Sequence, residues 1–129
     1  MRNKDLTLGE RELDIMDVLW TRGAATVGEV HRALVERDVD VAYNTVQTML
    51  NRLEAKEIVV RDATDRAHRY RPVVKRRAAV GSAIRRLTRR FFDGSAEALA
   101  AQLVESNLDD AELERMRTLI AELQKGKRS

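Results

Sequence analysis

Residues 44–52 read NTVQTMLNR, a stretch whose polar side chains are amides and hydroxyls rather than Glu and Lys. At 100° per residue, Asn44, Gln47, Thr48, Asn51 and Arg52 share one helix face, with Thr45 at its edge. Asn and Thr are poorer helix formers than Glu and Lys, so gathering them on a solvent face gives up helix propensity and signals a use. Asn and Gln pair bidentately with adenine, and Thr meets the thymine methyl. The chemistry on offer is base reading, set against the plain alternative of a solvated helix face.

Other chemistries find no comparable grouping. The two histidines, His31 and His68, lie on different elements and fit no H-E-x-x-H spacing. There is no Gly-rich phosphate loop and no G-x-S-x-G elbow. Zero Cys rules out disulfides, thiolate metal sites and a Cys nucleophile. Asp109, Asp110 and Glu112 read as a helix start rather than a catalytic carboxylate pair. No catalytic residue, metal ligand or cofactor is expected, and the chain does not read as an enzyme.

Charge supports the first chemistry. The 129 residues carry a net charge of +3, but its distribution is uneven. Residues 52–92 hold 13 basic and 4 acidic side chains, a block of +9, between blocks of −3 on either side. A localised positive block is what a phosphate-binding surface requires. No apolar run approaches the ~20 residues of a membrane span. No secretory signal is visible at the N-terminus, so the cytoplasm is the expected compartment.

The elements that must carry these residues follow from caps and stripes. Thr7 with Glu10 forms a capping box, predicting a first helix from Thr7 to Gly23. Its inner face holds Leu8, Leu13, Ile15, Met16, Leu19 and Trp20, with Trp20 as a core anchor. Thr26 with Glu29 opens a second helix, with Val27, Val30, Leu34 and Val35 inward and His31 beside them. Residues 37–41 lack a stripe and read as a connection. The third helix runs from Ala42 to Lys56 without a strong N-cap, its inner face being Val46, Met49, Leu50 and Leu53. Two β-prone runs, Ile58–Asp62 and His68–Val73, flank a polar turn with Asp65 as its best turn residue. Pro72 suits the end of an edge strand. Arg61, Arg66, Arg69 and Arg71 all fall on this hairpin.

A fourth helix, Val74 to Phe92, carries the stripe Val80, Ala83, Ile84, Leu87 and Phe91 among six arginines. Asp93-Gly94 breaks it. Ser95 caps a fifth helix, with Ala96, Leu99, Ala100, Leu103 and Val104 on one face. Asp109 with Glu112 opens a sixth, with Met116, Leu119, Ile120 and Leu123, and the tail QKGKRS reads as frayed. The boundary falls near residue 74, giving domains 1–73 and 74–129. Three thin stripes need a partner, and the simplest is a second copy of the chain.

Three helices then a hairpin is the order of a winged helix-turn-helix, in which the third helix enters the major groove and the hairpin is the wing. The expected fold is mainly α: a winged helix-turn-helix domain followed by a three-helix dimerisation region. LTLGERELDIMDVLW, VGEVHRAL, AYNTVQTMLNRLEAKEIV and RAHRYRPVV resemble the penicillinase-repressor (BlaI/MecI) family through its opening helices, recognition helix and wing. RRFFDGSAEALAAQLVESNLDDAELERMRTLI resembles its dimerisation region, so the resemblance spans roughly residues 6–123.

The resemblance implies a homodimeric repressor on inverted-repeat double-stranded DNA operators, with a TACA/TGTA-type core typical of the family. By position, Thr45, Gln47, Thr48 and Asn51 would face base edges. Tyr43, Asn44, Arg52, Arg66 and Arg69 would meet the backbone. Ile84, Leu87, Phe91, Leu99, Leu103, Met116, Leu119, Ile120 and Leu123 would form the dimer. Some relatives sense copper through C-terminal Cys, which this chain lacks, so that route is excluded. Others are cut at an Asn–Phe bond through a membrane-linked sensor-protease pathway, and Gln102–Leu103 stands at the matching position here. That departure leaves β-lactam induction open. The rival reading is a winged-helix protein–protein interaction module without sequence-specific DNA binding, since many functions share one fold.

Overall fold

The computed structural model describes residues 6–64 and 66–128. Asp65, the expected turn residue, lies outside the described residues. The order is α1 (Glu10–Arg22), β1 (Ala25–Thr26), α2 (Val27–Glu36), α3 (Tyr43–Ala55), β2 (Val59–Asp62), β3 (Arg69–Pro72), α4 (Arg76–Phe92), α5 (Ala96–Asn107) and α6 (Asp110–Arg128). The fold is mainly helical with a winged-helix first part. The chain divides into two compact units, residues 1–83 and 84–129.

In the first unit, α1 begins later than the Thr7 box predicts. Gly9 is the N-cap, and its N–H donates to Glu12 Oε1 at 3.0 Å. Glu12 is buried, and Lys56 Nζ reaches its Oε2 at 3.2 Å while donating to the Thr7 carbonyl at 3.0 Å. The Glu12 carboxylate is thus needed at Gly9 and Lys56, which moves the start of the helix beyond Thr7. Burying a carboxylate unpaired is costly, so this pair joins the start of α1 to the end of α3. The Thr26–Glu29 box is present as expected, Glu29 N–H to Thr26 Oγ1 at 3.1 Å and Thr26 N–H to Glu29 Oε1 at 2.9 Å. Ala42 caps α3 without a side-chain bond. Asp38 at φ 60° ends α2 in the left-handed region, where Asp is tolerated.

The core of this unit gathers Ile15, Met16, Val18 and Leu19 from α1, Val30 and Leu34 from α2, and Val46, Leu50 and Leu53 from α3. Ile58, Val59, Tyr70 and Val74 close it. Two inward assignments are corrected. Leu13 and Val35 are half-exposed, because each stripe is wider than the face its neighbours cover, and Val18 takes the inner place on α1. Trp20 packs at the core margin, its Nε1 donating to the Val74 carbonyl at 2.9 Å with the Arg76 guanidinium 5.4 Å from its ring centre.

The hairpin gains a third strand that two residues are too short to announce. The sheet order is β1-β3-β2, antiparallel throughout, with Tyr70 opposite Ala25 on one side and Arg61 on the other. β3 is therefore central rather than an edge. Pro72 is tolerated because β1 pairs only as far as Tyr70, leaving Pro72 opposite Val59 alone. Asp62 opens the turn, its Oδ1 accepting the Thr64 N–H at 3.0 Å.

In the second unit, Asp93 at φ 49° and Gly94 at φ 83° end α4. Ser95 Oγ accepts the Ala98 N–H at 3.0 Å and Asp109 Oδ1 accepts the Glu112 N–H at 2.8 Å, both as expected. The tail residues 124–128 are helical rather than frayed, since α6 continues to Arg128. No apolar side chain among the described residues of this unit is fully buried, and Phe91 is 75% exposed.

Candidate nucleic-acid interface

The α3 register places Val46, Leu50 and Leu53 fully inside, which turns the polar face outward. Thr45, Thr48, Asn51, Asn44 and Arg52 are exposed, Tyr43 is half-exposed, and Gln47 is partly covered. Thr48 Oγ1 donates to the Asn44 carbonyl at 2.9 Å. This spends the hydroxyl proton and leaves the γ-methyl and the oxygen lone pairs. Gln47 Nε2 donates to Asn51 Oδ1 at 3.1 Å and to Tyr70 Oη at 3.2 Å, and Tyr70 Oη donates to Asn51 Oδ1 at 3.3 Å.

The sheet brings the wing beside this face. Tyr43, Gln47, Arg61, Arg66, His68 and Tyr70 line one groove with the start of α2. A shallower one is lined by Asn44, Thr45, Thr48, Met49 and Arg52. Arg66 is exposed in the wing turn. Arg69 is engaged, its Nη1 donating to Glu29 Oε1 at 2.9 Å, while Arg22 Nη2 meets Glu29 Oε2 at 2.8 Å. The backbone N–H of Thr26, then its hydroxyl, and then Arg69 and Arg22 outweigh desolvation and hold the Glu29 carboxyl below its ordinary value. The backbone N–H and hydroxyl of Thr64, followed by Arg71, do the same for Asp62. Arg61 pairs with Glu54 at 3.5 Å. His31 Nε2 lies 2.9 Å from the Val41 carbonyl and its ring meets Tyr43 edge-on at 5.9 Å, so this histidine braces the α2–α3 connection.

Sequence reasoning missed Tyr70 and Glu29 as members of this surface. For Tyr70 the available signal was strand alternation, which places residue 70 inward from an exposed Arg69 and Arg71. No group of three or more His, Cys, Asp or Glu able to hold a metal ion occurs among the described residues. No described helix is long and apolar enough to cross a membrane. Gln102 and Leu103 are both exposed on α5, and the Gln102 carbonyl accepts the Ser106 hydroxyl at 2.5 Å.

Residues 8–122 match the family described as "Penicillinase repressor". The chain belongs to this family. It is 41% identical over 121 residues to the "Transcriptional regulator BlaI" of Mycobacterium tuberculosis (strain CDC 1551 / Oshkosh), covering 92% of this chain and 86% of that one. It is 21% identical over 126 residues to the "Penicillinase repressor" of Staphylococcus aureus, covering 97% and 99% of the two chains. The solution structure of the DNA binding domain of the repressor BlaI superposes with a TM-score of 0.51 at 26% identity, covering 59% of this chain and 90% of that domain. These two relatives are named as a transcriptional regulator and a repressor, and neither is named as an enzyme.

Proposed function

We propose that this chain is a dimeric DNA-binding transcriptional repressor that works by occlusion. The observation that carries the reading is an amide-and-hydroxyl face on α3 beside an Arg-bearing wing, in a member of a repressor family. Residues 1–73 serve as the DNA-binding domain. Thr45, Gln47, Thr48 and Asn51 meet base edges in the major groove, while Tyr43, Asn44, Arg52, Arg66 and Arg69 meet the sugar-phosphate backbone. Arg69 must then share or leave Glu29, which makes the wing's phosphate contact a competition between two anions.

Residues 74–129 join two copies. Ile84, Leu87, Phe91, Leu103, Leu119, Ile120 and Leu123 are exposed there, with Leu99 and Met116 partly covered. So many exposed large apolar side chains in one unit favour burial against a second copy. Two recognition helices then read an inverted repeat with half-sites about one helical turn, or a multiple of it, apart. Release by a sensor-protease route would act at Gln102–Leu103, and α5 must open locally before a protease can hold that bond extended. Full-length chain on immunoblots of β-lactam-treated cells would remove that route.

The test is DNA binding as a function of salt with heparin as competitor. Counterion release makes log K fall linearly with log[salt], with a slope near −0.9 per neutralised phosphate. A flat salt dependence, or indifference to heparin, would favour the protein-interaction module instead.

A further inference from the structure

Tyr70 is 1% exposed, yet its hydroxyl ends among the side chains of the proposed reading face. Its backbone is paired on both sides, to Ala25 and to Arg61, and its ring packs within the core, which holds the hydroxyl in place. Gln47 and Asn51 stand one helical turn apart, and a bond between such residues on a solvent face is by itself weak. The phenol adds a fixed third point, so Gln47 Nε2, Asn51 Oδ1 and Tyr70 Oη close a triangle with sides of 3.1, 3.2 and 3.3 Å.

The triangle constrains what is left over. Both inward groups of the amides are used, and the free ones are Gln47 Oε1, an acceptor, and Asn51 Nδ2, a donor. Turning Gln47 alone would set carbonyl against carbonyl. Turning Asn51 alone would set one NH2 against the other. The two amides turn only together, so the free pair always holds one donor and one acceptor. In the major groove adenine offers a donor at N6 and an acceptor at N7, whereas guanine offers two acceptors at O6 and N7. The free pair is complementary to adenine in the setting that turns its acceptor to N6 and its donor to N7, and it is mismatched with guanine in both settings.

We propose that Tyr70 is a positioning residue for sequence specificity. Through its hydroxyl it couples the Gln47 and Asn51 amides, so that together they accept adenine and reject guanine at one operator position. This rests on the proposed reading of DNA by α3. Tyr70→Phe removes the hydroxyl and keeps the ring in the core, and Gln47 and Asn51 retain access to water, so the fold is retained.

The experiment uses the full chain at one salt concentration. Duplexes are selected from a random-sequence library with wild-type protein, and each adenine of the selected site is then replaced in turn by guanine, with its pairing partner. At one adenine per half-site the wild type should lose about tenfold or more in affinity, the scale of one good base contact. Tyr70→Phe should lose less than about threefold there, with random-duplex binding unchanged and the thermal midpoint lowered by only a few degrees. The side-chain amide NMR signals of Gln47 and Asn51 in the DNA-free protein should be displaced from their free-amide positions in wild type and move toward those positions in Tyr70→Phe. An unchanged adenine-to-guanine ratio in Tyr70→Phe, or unchanged amide signals, overturns this inference alone. A wild type without any sequence preference overturns the DNA reading and this inference with it.

Discussion

Residues 6–83 and 84–128 are both built of capped amphipathic elements, yet they differ in what their apolar faces meet. Among the described residues, the first unit holds every buried apolar side chain, from Ile15 to Ala79. The second leaves Phe91, Leu119, Ile120 and Leu123 more than half exposed. Three helices and a sheet can enclose a core when their stripes converge, whereas the stripes of α4, α5 and α6 have too few large residues to enclose one alone. A helix can therefore be well specified locally and still depend on another chain for its burial. The first unit's stability should be a property of one chain, and the second unit's a property of concentration.

The sharpest break of this contrast is Leu123→Asp. A charge in a proposed apolar interface should turn a dimer into a monomer in sedimentation at micromolar concentration and remove tight operator binding. Wild-type monomer under the same conditions would end the two-copy account. Next in size, Leu50→Ala in the first unit should cost about 2–5 kcal/mol of stability, through lost transfer energy and a cavity. Denaturant midpoints for this variant should shift by the same amount at every protein concentration, and a shift that grows on dilution would erase the distinction between the units.

Smaller effects separate the parts of the proposed DNA surface. Gln47→Ala or Thr48→Ala should each lower the preference for operator over random duplex by ~1–3 kcal/mol. Arg66→Ala should weaken both alike and reduce the salt slope by about one. Equal losses for all three variants on both duplexes would argue against base reading.

The smallest effect is acid sensitivity confined to the first unit. Glu29 has a depressed folded pKa, so its contribution is fully present above the ordinary carboxylate value and disappears as pH falls through the depressed one. Glu29→Gln keeps an N3 residue able to close the capping box while dropping the charge shared with Arg22 and Arg69. Denaturation followed at neutral and acid pH should show a shallower acid loss for this variant than for wild type. Identical pH profiles would mean that these half-exposed pairs contribute nothing, as many surface pairs do.

The residues themselves determined the caps at Thr26, Ser95 and Asp109, the inner face of α3, the Arg-bearing hairpin and the polar face from Asn44 to Arg52. Each rests on interactions between near neighbours in the chain, where periodicity and cap chemistry act directly. Other features joined residues far apart in sequence. Glu12 serves Gly9 locally and Lys56 at a distance of 44 residues, which moved the start of α1 past its apparent cap. The two residues of β1 pair only because β3 arrives beside them, and that made β3 central. Tyr70 lies 19 and 23 residues from Asn51 and Gln47, and no spacing rule connects a core-facing strand residue to a helix's solvent face. Local chemistry thus supplied the polar groups available for reading a base, while only tertiary packing decided which of their donors and acceptors were already spent and which remained free.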